Sequence, residues 1–387
     1  MYLKCERLDD FGRGICFYNE KIVFVPSMLP REEGEVKIIQ EKKKYMVGKL
    51  LDLKVKSNNR ENNKCKYTSC GCHLIHMNYD KTLEFKKEKV KNILKKFGNI
   101  QVPNLEIISS NIYGYRNKVT LKVSNGKLGY YKNESHDIIE IDKCPIASPK
   151  INEIISILKK EELSNVKQII IKDMDGVMIS VEGILDISNL KEKANSIYIN
   201  DELVYGNKMI KNRVGDFTYL VSKDAFFQVN DNITVKLYEK VKKLAGKNHN
   251  LLDLFCGCGT IGIFLSDNFD RVIGIDINKS SIKCAKENAK INKKQNTEFL
   301  CGDANTLSKG INADVVVVDP ARSGLSMDGI NNIMNILPEK IIYVSCNPVT
   351  LARDIKLLDK YELCDITLFD MFPFTYHVEC VCLLKLS

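Results

Sequence analysis

Cys346 follows the apolar stretch Ile341-Ile342-Tyr343-Val344 and opens an Asn347-Pro348 turn. A thiol at the end of a strand is held on a rigid element and still meets a substrate, which is what a nucleophile needs. Two other chemically useful loops border apolar runs nearby in sequence. Asp319 in Asp-Pro-Ala-Arg follows Val315–Val318, and His377-Val378-Glu379 precedes the run that starts at Cys380. A thiol, a carboxylate able to take a proton and a further acid on one sheet rim suit addition to a ring carbon followed by proton removal. The last loop, His377-Val378-Glu379, would supply the base.

Upstream, Leu251-Leu252-Asp253-Leu254-Phe255 runs into Gly257-x-Gly259-x-x-Gly262, and Asp276 closes the next apolar run. Glycines so spaced let backbone approach a ligand, and an acid at the following strand end can accept hydrogen bonds from a ribose diol. The pattern serves a nicotinamide dinucleotide or S-adenosylmethionine equally. The companion loops separate the two: hydride transfer has no use for a nucleophilic thiol and a base, whereas methyl transfer to an unreactive ring carbon requires both. Enzymes that methylate exocyclic base amines typically carry an aromatic Asp/Asn-Pro-Pro-Tyr loop where this chain has Asp319-Pro320-Ala321-Arg322, so a pyrimidine ring carbon is the expected target.

Such loops need a sheet to hold them. From about Phe217 onward, apolar runs near 251, 272, 297, 315, 340 and 380 alternate with helical stretches, which predicts a doubly wound, Rossmann-like α/β domain over 216–387. Residues 1–56 carry short alternating runs at 13–17, 21–25, 35–40 and 45–53 between turn residues. They suggest an OB-like β-barrel, a common platform for single-stranded nucleic acid. The intervening 57–215 read as mixed α/β. They hold a polar linker at 57–64, a cysteine-bearing loop, an amphipathic helix over 80–97 with a basic outer face, a helix over 149–159, and strands at 118–123, 129–131, 168–172 and 176–181.

A chain of 387 residues is too long for one ordinary core and predicts two or three domains. The start offers no apolar leader and no stretch reaches membrane-spanning length, so a cytoplasmic protein without a membrane partner is expected. Its 14 cysteines are then read as thiols, metal ligands or nucleophiles rather than disulfides. With 58 Lys and Arg against 49 Asp and Glu the net charge is +9, which favours a polyanionic partner through counterion release.

In chain order, FVPSMLPREEGEV, YRNKVTL at 115–121, GYYKNESHDIIEIDKCPI at 129–146, SKDAFFQVN at 222–230, DLFCGCGTIG, DPARSG, SCNPVTLARD and FPFTYHVE resemble the RNA uracil-5 methyltransferase family. The resemblance is closest to its bacterial 23S ribosomal RNA branch, which has an N-terminal TRAM (OB-like) domain and an iron-sulfur cluster. It implies a thiolate, Cys346, adding to uracil carbon-6. The enolate formed takes the methyl group of S-adenosylmethionine at carbon-5. Glu379 then removes the carbon-5 proton and the cysteine is eliminated. Gln228, Phe255, Asp276 and Asp319 match the family's cofactor contacts, and Thr260 and Asp303 lie where further contacts are expected. The implied partner is 23S ribosomal RNA, with no obligate protein partner. Transfer RNA as substrate, and a non-catalytic RNA-binding or assembly role, are the rival readings.

Cys65, Cys70 and Cys72, with Cys144 far downstream, supply four soft ligands of the kind that hold an iron-sulfur cluster or zinc. His73 and His76 could enter a zinc site. The resemblance implies a four-iron cluster. Here the spacing from Cys65 to Cys70 is one residue shorter than the family pattern, and Gly71 stands alone where two glycines are usual.

Overall fold

The computed structural model describes the whole chain except Asn63, Lys64, Thr68, Ser69, Pro103, Asn133, Glu134 and the side chain of Asn305. Part of the expected 57–64 linker and two residues of the 129–146 motif therefore lie outside the described residues.

The N-terminal segment folds as a six-stranded sheet in the order Tyr2–Lys4, Glu33–Glu41, Tyr45–Val55, Lys21–Val25, Gly14–Tyr18, Arg7–Leu8. Three register shifts along the pairing of Glu33–Glu41 with Tyr45–Val55 bend it, since each extra residue kinks its strand. Leu3, Cys5, Cys16, Val23, Val25, Met28, Val36 and Met46 fill the small core that results.

The second sheet has seven strands: Ile138–Glu140, Lys127–Tyr131, Lys118–Ser124, Val166–Met174, Gly176–Gly183, Ser196–Ile199 and Glu202–Gly206. Helix Pro149–Leu158 begins with proline and is capped by Ser148, whose hydroxyl accepts the Ile151 N–H; such a cap is worth about 1 kcal/mol. Its apolar stripe of Ile151, Ile154, Ile155 and Leu158 shares a core with Val119, Leu121, Ile169 and Ile171 of the sheet. The expected boundary after 215 falls in the turn of a hairpin, Ile210–Val214 with Phe217–Val221, whose strands pair along their whole length.

The third sheet has eight strands in the order Thr297–Cys301, Phe269–Asp276, Asn248–Leu254, Val315–Val318, Lys340–Ser345, Glu379–Leu386, Tyr361–Phe369, Glu106–Ile108. The first five are mutually parallel. Both faces are buried: Leu251, Val315, Val317, Ile342 and Val344 pack to one side, and Leu252, Leu254, Val316, Val318, Ile341 and Tyr343 to the other. That two-sided burial is why these strands read as unbroken apolar runs. Glu379–Leu386 departs from the parallel expectation and runs antiparallel to both neighbours. The 370–378 connection is too short for the crossover that a parallel return requires.

The helical stretch over 79–98 and the strand over 106–108 fold onto this third sheet. Strand Glu106–Ile108 extends its edge, and helix Tyr79–Ile93, capped by Asn78, buries Val90 and Ile93 in the same core. The expected basic outer face of this helix is corrected at Lys86, which is fully buried. Among the described residues no helix is long and apolar enough to cross a membrane.

Candidate active site

Strand order reverses between Asn248–Leu254 and Val315–Val318, and a crevice outside the carboxyl ends of strands at such a point is where α/β sheets bind ligands. Both loops leaving these strands are in the predicted set. After Leu254 the chain turns through Phe255, Gly257 and Gly259 at φ 65°, 53° and 74°. For a bulky residue such as Phe255 this conformation is costly and must be held by its surroundings. A Cβ on Gly259 would lie 2.7 Å from the Phe299 ring, so glycine is also required there for packing, whereas one on Gly257 would meet no protein atom within 4 Å. Asp276 stands at the end of the adjacent strand, its carboxylate accepting the Gly257 N–H at 3.0 Å and the Asn278 N–H at 2.8 Å. Thr260 opens helix Thr260–Leu265 and its hydroxyl meets that of Tyr238 at 2.8 Å. Asp303 follows strand Thr297–Cys301, its carbonyl accepting the N–H groups of Thr306 and Leu307.

Gln228 lies on the 222–230 loop. Asn117 braces this loop through the carbonyls of Gln228 and Val229, and the buried Lys172 ammonium donates to the carbonyls of Ser222, Lys223 and Ala225. Burial lowers Lys172 to about 8. Sequence reasoning missed this lysine, which looks like one polar position in an alternating strand. It also missed Asp253. One oxygen of Asp253 accepts the Gly262 N–H at 2.9 Å while the other is buried without a partner. Burial, then the charges of Asp319 and Asp276, push this carboxyl up to about 8.

Cys346, Glu379 and Asp319 come together at the rim. Antiparallel pairing sets Ser345 opposite Cys380, so the next residue of one strand, Cys346, and the first of the other, Glu379, are neighbours. Asp319 leaves the strand on the other side of Lys340–Ser345. Burial raises all three: Asp319 to about 7, Glu379 to about 8 with a further push from Asp319, and Cys346 to about 11 with pushes from Glu379 and Asp319. Arg322 opposes the rise at both Cys346 and Glu379. Three acids this close titrate as a coupled set, and protonation of the carboxyls eases ionisation of the thiol.

The two loops carrying Asp319 and Cys346 are fastened to each other. The Arg322 carbonyl accepts from the Asn347 amide at 2.9 Å and from the Thr350 hydroxyl at 3.3 Å, and Arg353 donates to the carbonyls of Ser323 and Leu325. Arg353 is itself held by buried Asp354, which also accepts the Tyr343 hydroxyl at 2.7 Å. The N-terminal sheet reaches the same rim. Phe11 meets Tyr376 edge to face at 5.4 Å, Arg13 lies over the rings of Phe11 and Phe24, and the Lys89 ammonium lies 4.9 Å from the Tyr376 ring centroid.

Cys65, Cys70, Cys72 and Cys144 all line one cavity of about 390 Å³, together with Arg116, Lys118 and Tyr130. Neither His73 nor His76 lines it, against the expectation that they could join a zinc site. Burial, then the charges of Cys65 and Cys144, pushes both the Cys70 and Cys72 thiols up to about 12. Among the described residues no group of three or more His, Cys, Asp or Glu is placed to hold a metal ion. The soft donor chemistry of these four thiols suits iron or zinc alike.

The profile of the tRNA (Uracil-5-)-methyltransferase family matches residues 184–387. An uncharacterized RNA methyltransferase of Clostridium acetobutylicum is 35% identical over 98% of this chain and 96% of its own length. One from Staphylococcus aureus is 34% identical over 97% and 96%. Among solved structures, the Pyrococcus abyssi tRNA (uracil-54, C5)-methyltransferase in complex with S-adenosyl-L-homocysteine superposes with a TM-score of 0.84 at 30% identity, covering 99% of this chain and 100% of that one. A glycine loop, an acid at the next strand end and a thiol beside two basic-shifted carboxyls thus occur in a chain similar along its whole length to such enzymes, and it belongs to the RNA uracil-5 methyltransferase family, whose members use S-adenosylmethionine.

Proposed function

We propose that this enzyme methylates carbon-5 of a uridine through a covalent bond from Cys346, with Glu379 as the base. The observation that carries the reading is the adjacency of Cys346 and Glu379 on antiparallel strands beside the crevice. S-adenosylmethionine supplies the methyl group, and Phe255, Thr260, Asp276, Asp303, Asp319 and Gln228 are the residues proposed to hold it. Cys346 adds its sulfur to carbon-6, and the ring double bond's electron pair moves to the carbonyl as an enolate. Arg322 is the cation near the thiol and favours its ionised form. Carbon-5 then takes the methyl group and the donor leaves as S-adenosylhomocysteine. Glu379, with a basicity raised toward neutral pH, accepts the carbon-5 proton. The electron pair released re-forms the ring double bond and expels the Cys346 thiolate.

The uridine must leave its stack to reach Cys346. The net charge of +9 and the rim of Phe11, Arg13, Lys89 and Tyr376 support RNA gripped between the N-terminal sheet, taken as the OB-like TRAM domain, and the catalytic loops. The N-terminal barrel-like sheet and the four cysteines argue for 23S ribosomal RNA. Full-length similarity to an archaeal enzyme that acts on transfer RNA supports the second reading, and it removes the N-terminal sheet as a discriminator. We further propose that Cys65, Cys70, Cys72 and Cys144 hold a structural four-iron cluster, whose role is to tie the 144 loop to the 65–72 loop.

With tritium at uracil carbon-5 in RNA, donor-dependent release of label is expected from the wild type and none from Cys346→Ala. Sustained release from that variant would discard the covalent route. Mapping 5-methyluridine in ribosomal and transfer RNA of a strain lacking the protein separates the two substrates.

A further inference from the structure

Glu379 is reached through the 370–378 connection, which is held by a local turn, in which Thr375 donates to the Phe372 carbonyl and accepts the His377 N–H, and by anchors from outside. Phe374 at its centre is in the left-handed region at φ 62°, a conformation that a phenylalanine keeps only when clamped. Its ring is buried between Tyr79 and Tyr113, and its carbonyl accepts the Leu74 N–H at 2.8 Å. The Ile108 carbonyl accepts the Asp370 N–H, the Asn230 amide donates to the Met371 carbonyl, and helix Tyr79–Ile93 supplies further anchors. Lys86 pairs with Asp370 and donates to the Phe372 carbonyl at 3.0 Å, the Tyr79 hydroxyl donates to the other oxygen of Asp370, and Lys89 donates to the Tyr376 carbonyl at 3.0 Å. Both members of the Lys86–Asp370 pair are fully buried. An ion pair so placed is a poor source of stability, because removing two charges from water costs about as much as their attraction returns. What it does supply is direction: a buried ammonium with fixed acceptors has one position.

We propose that Lys86, Asp370 and Tyr79 are positioning residues that fix the 370–378 connection, and through it the Glu379 carboxylate, for removal of the carbon-5 proton. This rests on the reading of Glu379 as base. Misplacing a base by about 1 Å costs up to about a hundredfold in rate, while Cys346 and the glycine loop, on other strands, keep their geometry. The defect therefore falls on the last step only.

Single-turnover reactions with substrate RNA and radiolabelled methyl donor separate covalent addition from product release. For Lys86→Met and Asp370→Asn, release is expected to slow by about tenfold or more with the methylated protein–RNA adduct accumulating, while KM for RNA and for the donor stays within about threefold. Lys86→Arg, which keeps charge and donors, recovers part of the rate. Tyr79→Phe removes one hydroxyl and decides the matter should the charge variants fail to fold: it is expected to slow release about threefold without changing addition. Addition and release falling in equal proportion, or normal release from Tyr79→Phe, overturns the proposal. Glu379→Gln run alongside keeps the two readings apart. Adduct accumulating there but not in the Lys86 and Tyr79 variants defeats positioning alone, whereas normal turnover there defeats the base assignment.

Discussion

Replacing Glu379 by glutamine keeps the volume of a buried side chain and deletes one charge and one proton-accepting oxygen. Its carboxyl sits near pKa 8 because of burial and the neighbouring Asp319. At pH 7 a group of that pKa is ionised in roughly one molecule in ten, rising to one in two at pH 8, so release of product from the wild type should accelerate about fivefold over that unit. The same carboxylate helps hold the Cys346 thiol at about 11. Glu379→Gln therefore splits the reaction. Covalent addition proceeds at least as fast as in the wild type, since a like charge beside the thiol is gone, while release falls by about 10²–10⁴, the usual contribution of a general base. That is about 3–5 kcal/mol on the release barrier. Rapid-quench reactions with labelled donor, resolved on denaturing gels into protein-linked and free RNA, measure both steps, and the residual release should no longer rise through pH 8. Turnover within tenfold of the wild type, or addition lost together with release, would refute the assignment.

Asp253→Asn keeps the acceptor for the Gly262 N–H and removes a buried charge. Because this acid's folded pKa is raised, its penalty is absent below the unfolded carboxylate range near 4 and grows as pH climbs to about 8. The variant should melt above the wild type at pH 9, by about 2–4 °C for each kcal/mol relieved, with the gap closing at pH 5; calorimetry at the two pH values checks this. For the cysteine cavity, anaerobically purified protein is expected to be brown with about four irons per chain, and Cys144→Ala to lose both colour and iron. Colourless protein loaded with zinc would remove the cluster.

The meeting of these residues at one rim was legible because they sit in strings whose types announce it: a glycine loop after an apolar run, Asp319 after four valines, Cys346 before a polar turn. Two-faced burial likewise made the parallel strands readable. The rest depended on partners far apart in sequence. Lys86 looks like one of several solvated lysines until Asp370 is seen beside it, and Lys172 looks like a strand's outward position until the carbonyls of the 222–225 segment close around it. Strand Glu106–Ile108 is too short to carry a period of its own, and the reversed last strand follows from connection length, which composition does not reveal.

Helix Tyr79–Ile93 leaves the ribosome long before its binding surface exists, because Asp370 lies 284 positions later in the chain. At about 5–20 residues per second that is a wait of about 14–57 s, during which an apolar flank stands in water beside nascent RNA and other chains. Lys86, in the middle of that flank, meets its buried partner only once Asp370 is synthesised. Docking of the helix thus becomes possible only when nearly the whole chain has been made.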